Sequence, residues 1–265
     1  MNDQARGLAH MAGRDGTGTE LPDLPALAIT GGKGGVGKTC LAVNLALLLQ
    51  GLGMEPLLVD LDMGLANADV LLGVNPSSSL FEVVIGGDSL ASATVTTAGG
   101  LHFVPAASGR DELTRLGHRQ FVTLFRQLAD CGHGCLVLDT MAGISAEVTR
   151  FLRSSRQVVV VLTPDPTALT DAYALIKVLE GQRAGKDLRV IVNQAGSEDE
   201  AMQTFLRLRK VVRSYLQRDI AYLGHVPRDR HVQEAVRRRV PFITDREAPA
   251  SRALAAIAMR LRAGW

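Results

Sequence analysis

Gly31-Gly32-Lys33-Gly34-Gly35-Val36-Gly37-Lys38-Thr39 is the stretch that decides the fold. Gly32, four residues, then Gly37-Lys38-Thr39 satisfies the G-x-x-x-x-G-K-[ST] spacing of a phosphate-binding loop. Gly32, Gly34, Gly35 and Gly37 let successive backbone N–H groups turn toward phosphate oxygens, where side chains would obstruct them. Lys38 is placed to neutralise β- and γ-phosphates, and the Thr39 hydroxyl to ligate Mg²⁺. Val36 and Cys40 complete the nucleotide-binding run, Cys40 also serving as a small apolar filler on the helix that follows. The flanks agree with the motif. Leu27-Ala28-Ile29-Thr30 is strand-like, and Leu41, Leu45, Leu48 and Leu49 recur at helical spacing, so the loop opens a helix N-terminus. Lys33 is surplus to a one-lysine loop and reads either as a solvated charge or as a second phosphate ligand.

Two further strand ends carry carboxylates. Pro56-Leu57-Leu58-Val59-Asp60 predicts a buried strand, and the run from Asp60 through Asp62 and Asn67 to Asp69 falls where an open α/β sheet has its ligand crevice. Asp62 is the candidate to orient an attacking water, with Asn67 supporting the water or the phosphates. Cys135-Leu136-Val137-Leu138-Asp139 is an apolar strand ending in an acid, the Walker B pattern, so Asp139 is the candidate to hold the Mg²⁺ shell opposite Thr39. Thr140 to Ser145 forms a small-residue switch loop. Beyond it the chain alternates strand (Gln157 to Leu162), helix (Thr167 to Glu180) and strand (Leu188 to Val192). This βα rhythm predicts a doubly wound, mostly parallel sheet flanked by helices, with nucleotide at the carboxyl ends of the strands.

The whole sequence bounds the alternatives. Its 265 residues and 46% hydrophobic content suit one large α/β domain over 26–265, preceded by a flexible glycine-containing tail over 1–25. A formal net charge of +2 argues against a nucleic-acid or membrane field spread over the whole protein. No run of about 18 apolar residues and no signal peptide is evident, which together with three cysteines predicts a cytoplasmic protein. Cys131-Gly132-His133-Gly134-Cys135 lacks the second ligand cluster that a structural zinc needs, and His102 reads as a lone, packed or solvent-facing histidine. Phe121, Leu124, Phe125 and Leu128 form a buried helical face. Phe205, Leu208, Val212 and Leu216 form another, outside which Arg207, Arg209, Lys210 and Arg213 read as a solvated face, or as a DNA-binding one. Pro249 to Leu261 predicts a final core helix, with no separate membrane anchor after it; Arg260, Arg262 and Trp265 give only a short signal for an anionic surface.

The loop sequence K-G-G-V-G-K-T resembles the deviant Walker A loop of the MinD/ParA family, ATPases that dimerise face to face. The resemblance implies that Lys33 reaches across an ATP-dependent homodimer to the opposite nucleotide, joining Lys38 and Asp62 as the catalytic set. The Asp139-Thr140-x-Ala142-Gly143-Ile144 segment resembles the family's D-T-x-A-G-I segment, and Asp62 to Gly73, Val104 to Gly109, Asp171 to Lys177 and the Pro227-x-Asp229 turn resemble the FlhG/FleN branch, regulators of flagellar number and placement. The same resemblance places Asn193 on adenine and Asp229 at the nucleotide. It also implies an FlhF-like GTPase and a FleQ-like transcriptional activator as partners, with a polar or peripherally membrane-associated location open. Asp3-Gln4-Ala5-Arg6-Gly7-Leu8-Ala9 resembles the branch's partner-binding D-Q-A-x-x-L-R motif, with Ala9 where that motif has arginine. Two rivals follow from the same residues: a ParA-like partition or cargo-positioning ATPase that binds nonspecific DNA, and a nucleotide-gated module that sequesters a transcription factor with hydrolysis incidental.

Overall fold

The computed structural model describes residues 21–62, 67–106, 117–181 and 187–265. Residues 1–20 of the predicted tail, with its D-Q-A motif, lie outside them, as do Met63 to Ala66 and the end of the Val104 to Gly109 segment, while Leu24 and Pro25 of that tail belong to the first strand.

Short apolar runs supply the strands: β1 (Leu24–Thr30), β2 (Leu57–Asp60), β3 (Val95–Thr96), β4 (His102–Val104), β5 (Leu136–Asp139), β6 (Ser155–Leu162), β7 (Asp187–Ala195) and β8 (Ala221–Pro227). Among the described residues they form one sheet in the order β3-β4-β2-β5-β1-β6-β7-β8, parallel except for the β3–β4 edge. The central strands are buried, apart from Arg156 near the start of β6, as a sheet covered by helices on both faces requires. Register carries the chemistry: Asp60 lies opposite Asp139, and Asp139 opposite Ile29, so both acids emerge beside the end of β1.

The covering helices are α1 (Lys38–Gly51), α2 (Ala68–Leu72), α3 (Leu90–Ala93), α4 (His118–Ala129), α5 (Ala146–Ser154), α6 (Pro166–Glu180), α7 (Glu198–Leu216), α8 (Arg230–Arg237) and α9 (Pro249–Ala263). A π-helical turn spans Glu82–Gly86. Starts are set locally. The Ser145, Asp165, Ser197 and Asp229 side chains accept N-terminal amides, and Pro166 and Pro249 occupy first turns that need no N–H donor there. Helix α1 buries most of its circumference because it lies between the sheet and α9. Within it Asn44 donates to the Cys40 carbonyl at 2.7 Å and accepts from the Ile243 amide at 3.1 Å, tying the loop helix to the 3₁₀ turn Phe242–Thr244.

One expectation needs correction. His102 is not alone, because its Nδ1 lies 3.3 Å from His133 Nε2, while His133 Nδ1 donates to the Glu55 carbonyl at 3.0 Å. At the chain end Arg260 and Arg262 are exposed. Trp265 donates its indole N–H to the Gly134 carbonyl at 3.1 Å beneath the Arg156 guanidinium, and Arg260 donates to the Leu223 carbonyl at 2.7 Å.

Candidate functional site

The phosphate loop joins β1 to α1 and can exist only with glycine at particular points. A Cβ on Gly32 would sit 2.3 Å from the Asp171 carbonyl of α6, inside contact distance, so the loop and α6 touch backbone to backbone. Gly37, which caps α1, has φ 91 in the left-handed region, and a Cβ there would meet Asn193 Nδ2 at 2.4 Å. Lys38, 7% exposed, begins the helix beneath the loop. Burial lowers its ammonium pKa, and the nearby carboxylates of Asp139 and Asp62 oppose that shift.

Beside it stand the strand-end acids. Asp139 is fully buried, and neither of its oxygens has a hydrogen-bond partner; Asp60 Oδ2 and Thr30 Oγ1 are likewise buried and unpartnered. Burial drives the Asp139 carboxyl up to about 7, against the pull of the Thr39 hydroxyl and Lys38. Burial and the charge of Asp139 also raise Asp60, although its Oδ1 accepts the Asp62 amide at 2.9 Å. Buried carboxylates without donors are costly, and a divalent cation is the partner that would satisfy several oxygens together. The donors present (Thr39 hydroxyl, Asp139, and Asp60 beside it) are the hard oxygens that suit Mg²⁺. Asp62 follows at the mouth of this pit, within electrostatic reach of both Lys38 and Asp139. Asn67 is exposed at the N-cap of α2, beyond the undescribed 63–66.

Lys33 takes a different course. Its Nζ donates to Thr167 Oγ1 at 2.5 Å and Asp165 Oδ2 at 3.2 Å, both at the start of α6, with the lysine side chain 40% exposed. Hydrogen bonds from the Thr167 side chain and backbone, then from Lys33, hold Asp165 down at about 2. The switch loop after Asp139 is fastened to the phosphate loop's base, since Thr140 N–H donates to Ile29 O at 3.1 Å and Gly143 N–H to Gly31 O at 3.2 Å.

On the far side of the loop a cavity of about 450 Å³ runs between α1, the end of β7 and α8, lined by Gly37, Cys40, Asn193, Pro227, Val232 and Phe242 among others. It brings Asn193 and Asp229 together with the loop. Asp229 spends its oxygens on structure, accepting from the His231 amide and ring and from the Ala250 amide at 2.9 to 3.0 Å. Burial works to raise its pKa, and these bonds outweigh it, so the group is lowered. The motif spacings assign no role to Asp60, Thr30, Asp165 or Thr167. The signals available were the Asp-x-Asp spacing at a strand end for Asp60 and the Asp-Pro-Thr helix start for Asp165 and Thr167.

A glycine loop between a central parallel strand and a helix, with a buried lysine and a strand-end acid beneath it, defines a P-loop nucleoside triphosphatase. The CobQ/CobB/MinD/ParA nucleotide binding domain model matches residues 27–242, and the chain belongs to that family, whose MinD/ParA members are P-loop ATPases. Antiactivator FleN of Pseudomonas aeruginosa is 40% identical over 238 residues, covering 89% of this chain and 85% of FleN. Flagellum site-determining protein YlxH of Helicobacter pylori is 35% identical over 218 residues, covering 80% of this chain and 73% of YlxH. In structure, the cell division ATPase MinD of Pyrococcus furiosus superposes with a TM-score of 0.77 over 91% of this chain and 99% of its own, at 23% identity. MinD from Pyrococcus horikoshii in complex with Mg-ADP gives 0.76 over 89% and 95%, again at 23% identity. The FlhG/FleN resemblance of the loop and strand-end segments is thereby borne out at the level of family and branch.

Proposed function

We propose that this chain is an ATP-driven switch of the FleN type, which regulates flagellar number and placement by dimerising with ATP and separating after hydrolysis. The observation that carries it is the pairing of two lysines on one loop with opposite settings. Lys38 is buried over unpartnered carboxylates, and Lys33 is held at the surface by a pair it can leave. In the proposed cycle the loop amides and Lys38 bind the triphosphate, and the cavity beyond Gly37 takes the base. Thr39 and Asp139 would hold Mg²⁺, which when bound would supply positive charge against the negative charge on the phosphoryl oxygens. Asp62 orients the attacking water, and Asn67 supports it or the phosphates. Lys33 exchanges Asp165 and Thr167 for the nucleotide of a second copy. Turnover is slow, because a switch must persist in its ATP state.

Similarity to an antiactivator and to a flagellum site-determining protein favours an FlhF-like GTPase and a FleQ-like activator as partners of a cytoplasmic protein, with polar or peripheral membrane residence as a further property. No helix of the described residues is long and apolar enough to cross a membrane. The DNA-binding alternative draws on Arg207, Lys210 and Arg213, exposed along α7, and it predicts ATP-dependent DNA affinity that falls steeply with salt.

Solution mass with ADP, with ATP, and with ATP plus Asp62→Ala, measured beside phosphate release, tests the switch. The expected results are a monomer with ADP and a stable dimer of the non-hydrolysing variant with ATP. An unchanged mass in all three would sink the dimer switch while leaving the P-loop in place. Loss of nucleotide binding in Asp62→Ala would remove the water-orienting role.

A further inference from the structure

We infer that Asn193 is a positioning residue of the phosphate loop, whose amide holds the Val36 carbonyl and thereby sets the peptide that leads into Lys38. This deepens the proposed nucleotide site and rests on it. Asn193 stands at the carboxyl end of β7, 7% exposed, and its Nδ2 donates to Val36 O at 2.8 Å across 157 residues of chain. A carbonyl only accepts, so the nitrogen end of the amide must face Val36, which fixes the side chain's orientation. The fit continues into the next residue. Gly37 is left-handed and has room for nothing larger against the same Nδ2. Gln194, at φ 57, is itself a left-handed non-glycine residue where the chain bends beside the loop.

The consequence is mechanical. The loop binds phosphate through the direction of its peptide N–H groups, and rotation of the Val36–Gly37 peptide would redirect them. Without the Asn193 donor, the Val36 carbonyl loses its partner in a buried setting, where an unmade hydrogen bond is costly. One amide therefore joins the cavity side of the site to its phosphate side, so an Asn193 change weakens phosphate binding even when the ligand has no base.

The test uses the full chain with Asn193→Leu and Asn193→Ser, titrated calorimetrically with magnesium-ATP and with magnesium tripolyphosphate, a base-free probe. Both ligands are expected to weaken by a similar factor, about tenfold for one lost hydrogen bond and its stranded acceptor. Amide exchange should also accelerate at Gly37 to Thr39 but not in β8. Loss of ATP affinity with tripolyphosphate unaffected would make Asn193 a base contact only and overturn the inference, as would no change with either ligand. If neither variant folds, the unmutated protein decides: in its tripolyphosphate complex the Asn193 side-chain amide protons exchange slowly by NMR, and fast exchange overturns the assignment. Failure of the unmutated protein to bind either ligand would instead remove the nucleotide site itself, and this inference with it.

Discussion

Asp139 and Asp165 belong to the same site and are driven in opposite directions. Asp139 ends a central strand, buried, with two unpartnered oxygens, and its carboxyl is pushed up to about 7. Asp165 caps a helix at the rim, surrounded by donors from Thr167 and Lys33, and is held at about 2. The difference is one of unmet and met demand. The interior acid gains little within its own chain, whereas the rim acid is already satisfied and occupies the lysine that would otherwise face solvent. The site is thus incomplete inside and closed on itself outside.

The largest effect should come from the interior. Asp139→Asn removes the charge that would hold Mg²⁺, so phosphate release in saturating Mg²⁺ should fall by about 100-fold or more. The metal-free protein should melt higher than the parent, because a buried charge without a partner has been deleted. A variant that hydrolyses ATP normally would break the contrast at its centre.

Of intermediate size is the pH dependence of the metal-free protein. Unfolded, Asp139 loses its proton near the ordinary carboxylate value, whereas folded it retains the proton to about 7. Between these values the folded state binds more protons, so stability should fall as pH rises from about 4 to about 7 and level off above. Asp60 is raised as well and acts in the same sense. Asp165, lowered instead, contributes stability that is lost only as pH falls below about 4, the opposite slope in a separate window. Melting curves without Mg²⁺ should show a decline across pH 4–7 of several degrees, at about 2–4 °C per kcal/mol for a chain of this size. Asp139→Asn should flatten it, and a parent profile that rises over that range would contradict the assignment.

The smallest effect on folding should come from the rim. Lys33→Ala should move the melting temperature by no more than about 2 °C, because its pair is solvent-exposed. Yet it should abolish the ATP-dependent dimer measured by solution mass. A large loss of monomer stability with dimerisation intact would reverse the roles of rim and interior.

Much of this is legible in the sequence because it is written in local spacing. The loop, its strand and helix, and the acids that end β2 and β5 follow from residue types at fixed offsets, and alternating strand and helix segments imply the parallel sheet. Strand β8 and helix α8 are not legible in that way, since Ala221–Pro227 is interrupted by Gly224 and His225, and the Arg-rich start of α8 reads as surface charge. Their identity as elements comes from pairing with β7 and from the Asp229 cap.

By itself the sequence determined that a polyphosphate loop would sit between a strand and a helix, with Lys38, Thr39 and Asp139 around it, because glycine geometry and charge require it. Only the tertiary structure decided what those groups meet: Lys33 on Asp165 and Thr167, Asp60 beside Asp139, and Asn193 on the carbonyl of Val36. Those partners lie far apart along the chain, by as much as 157 residues for Asn193 and Val36, and no local spacing records them. Sheet order and register bring them side by side, and burial then fixes how strongly each partner is needed.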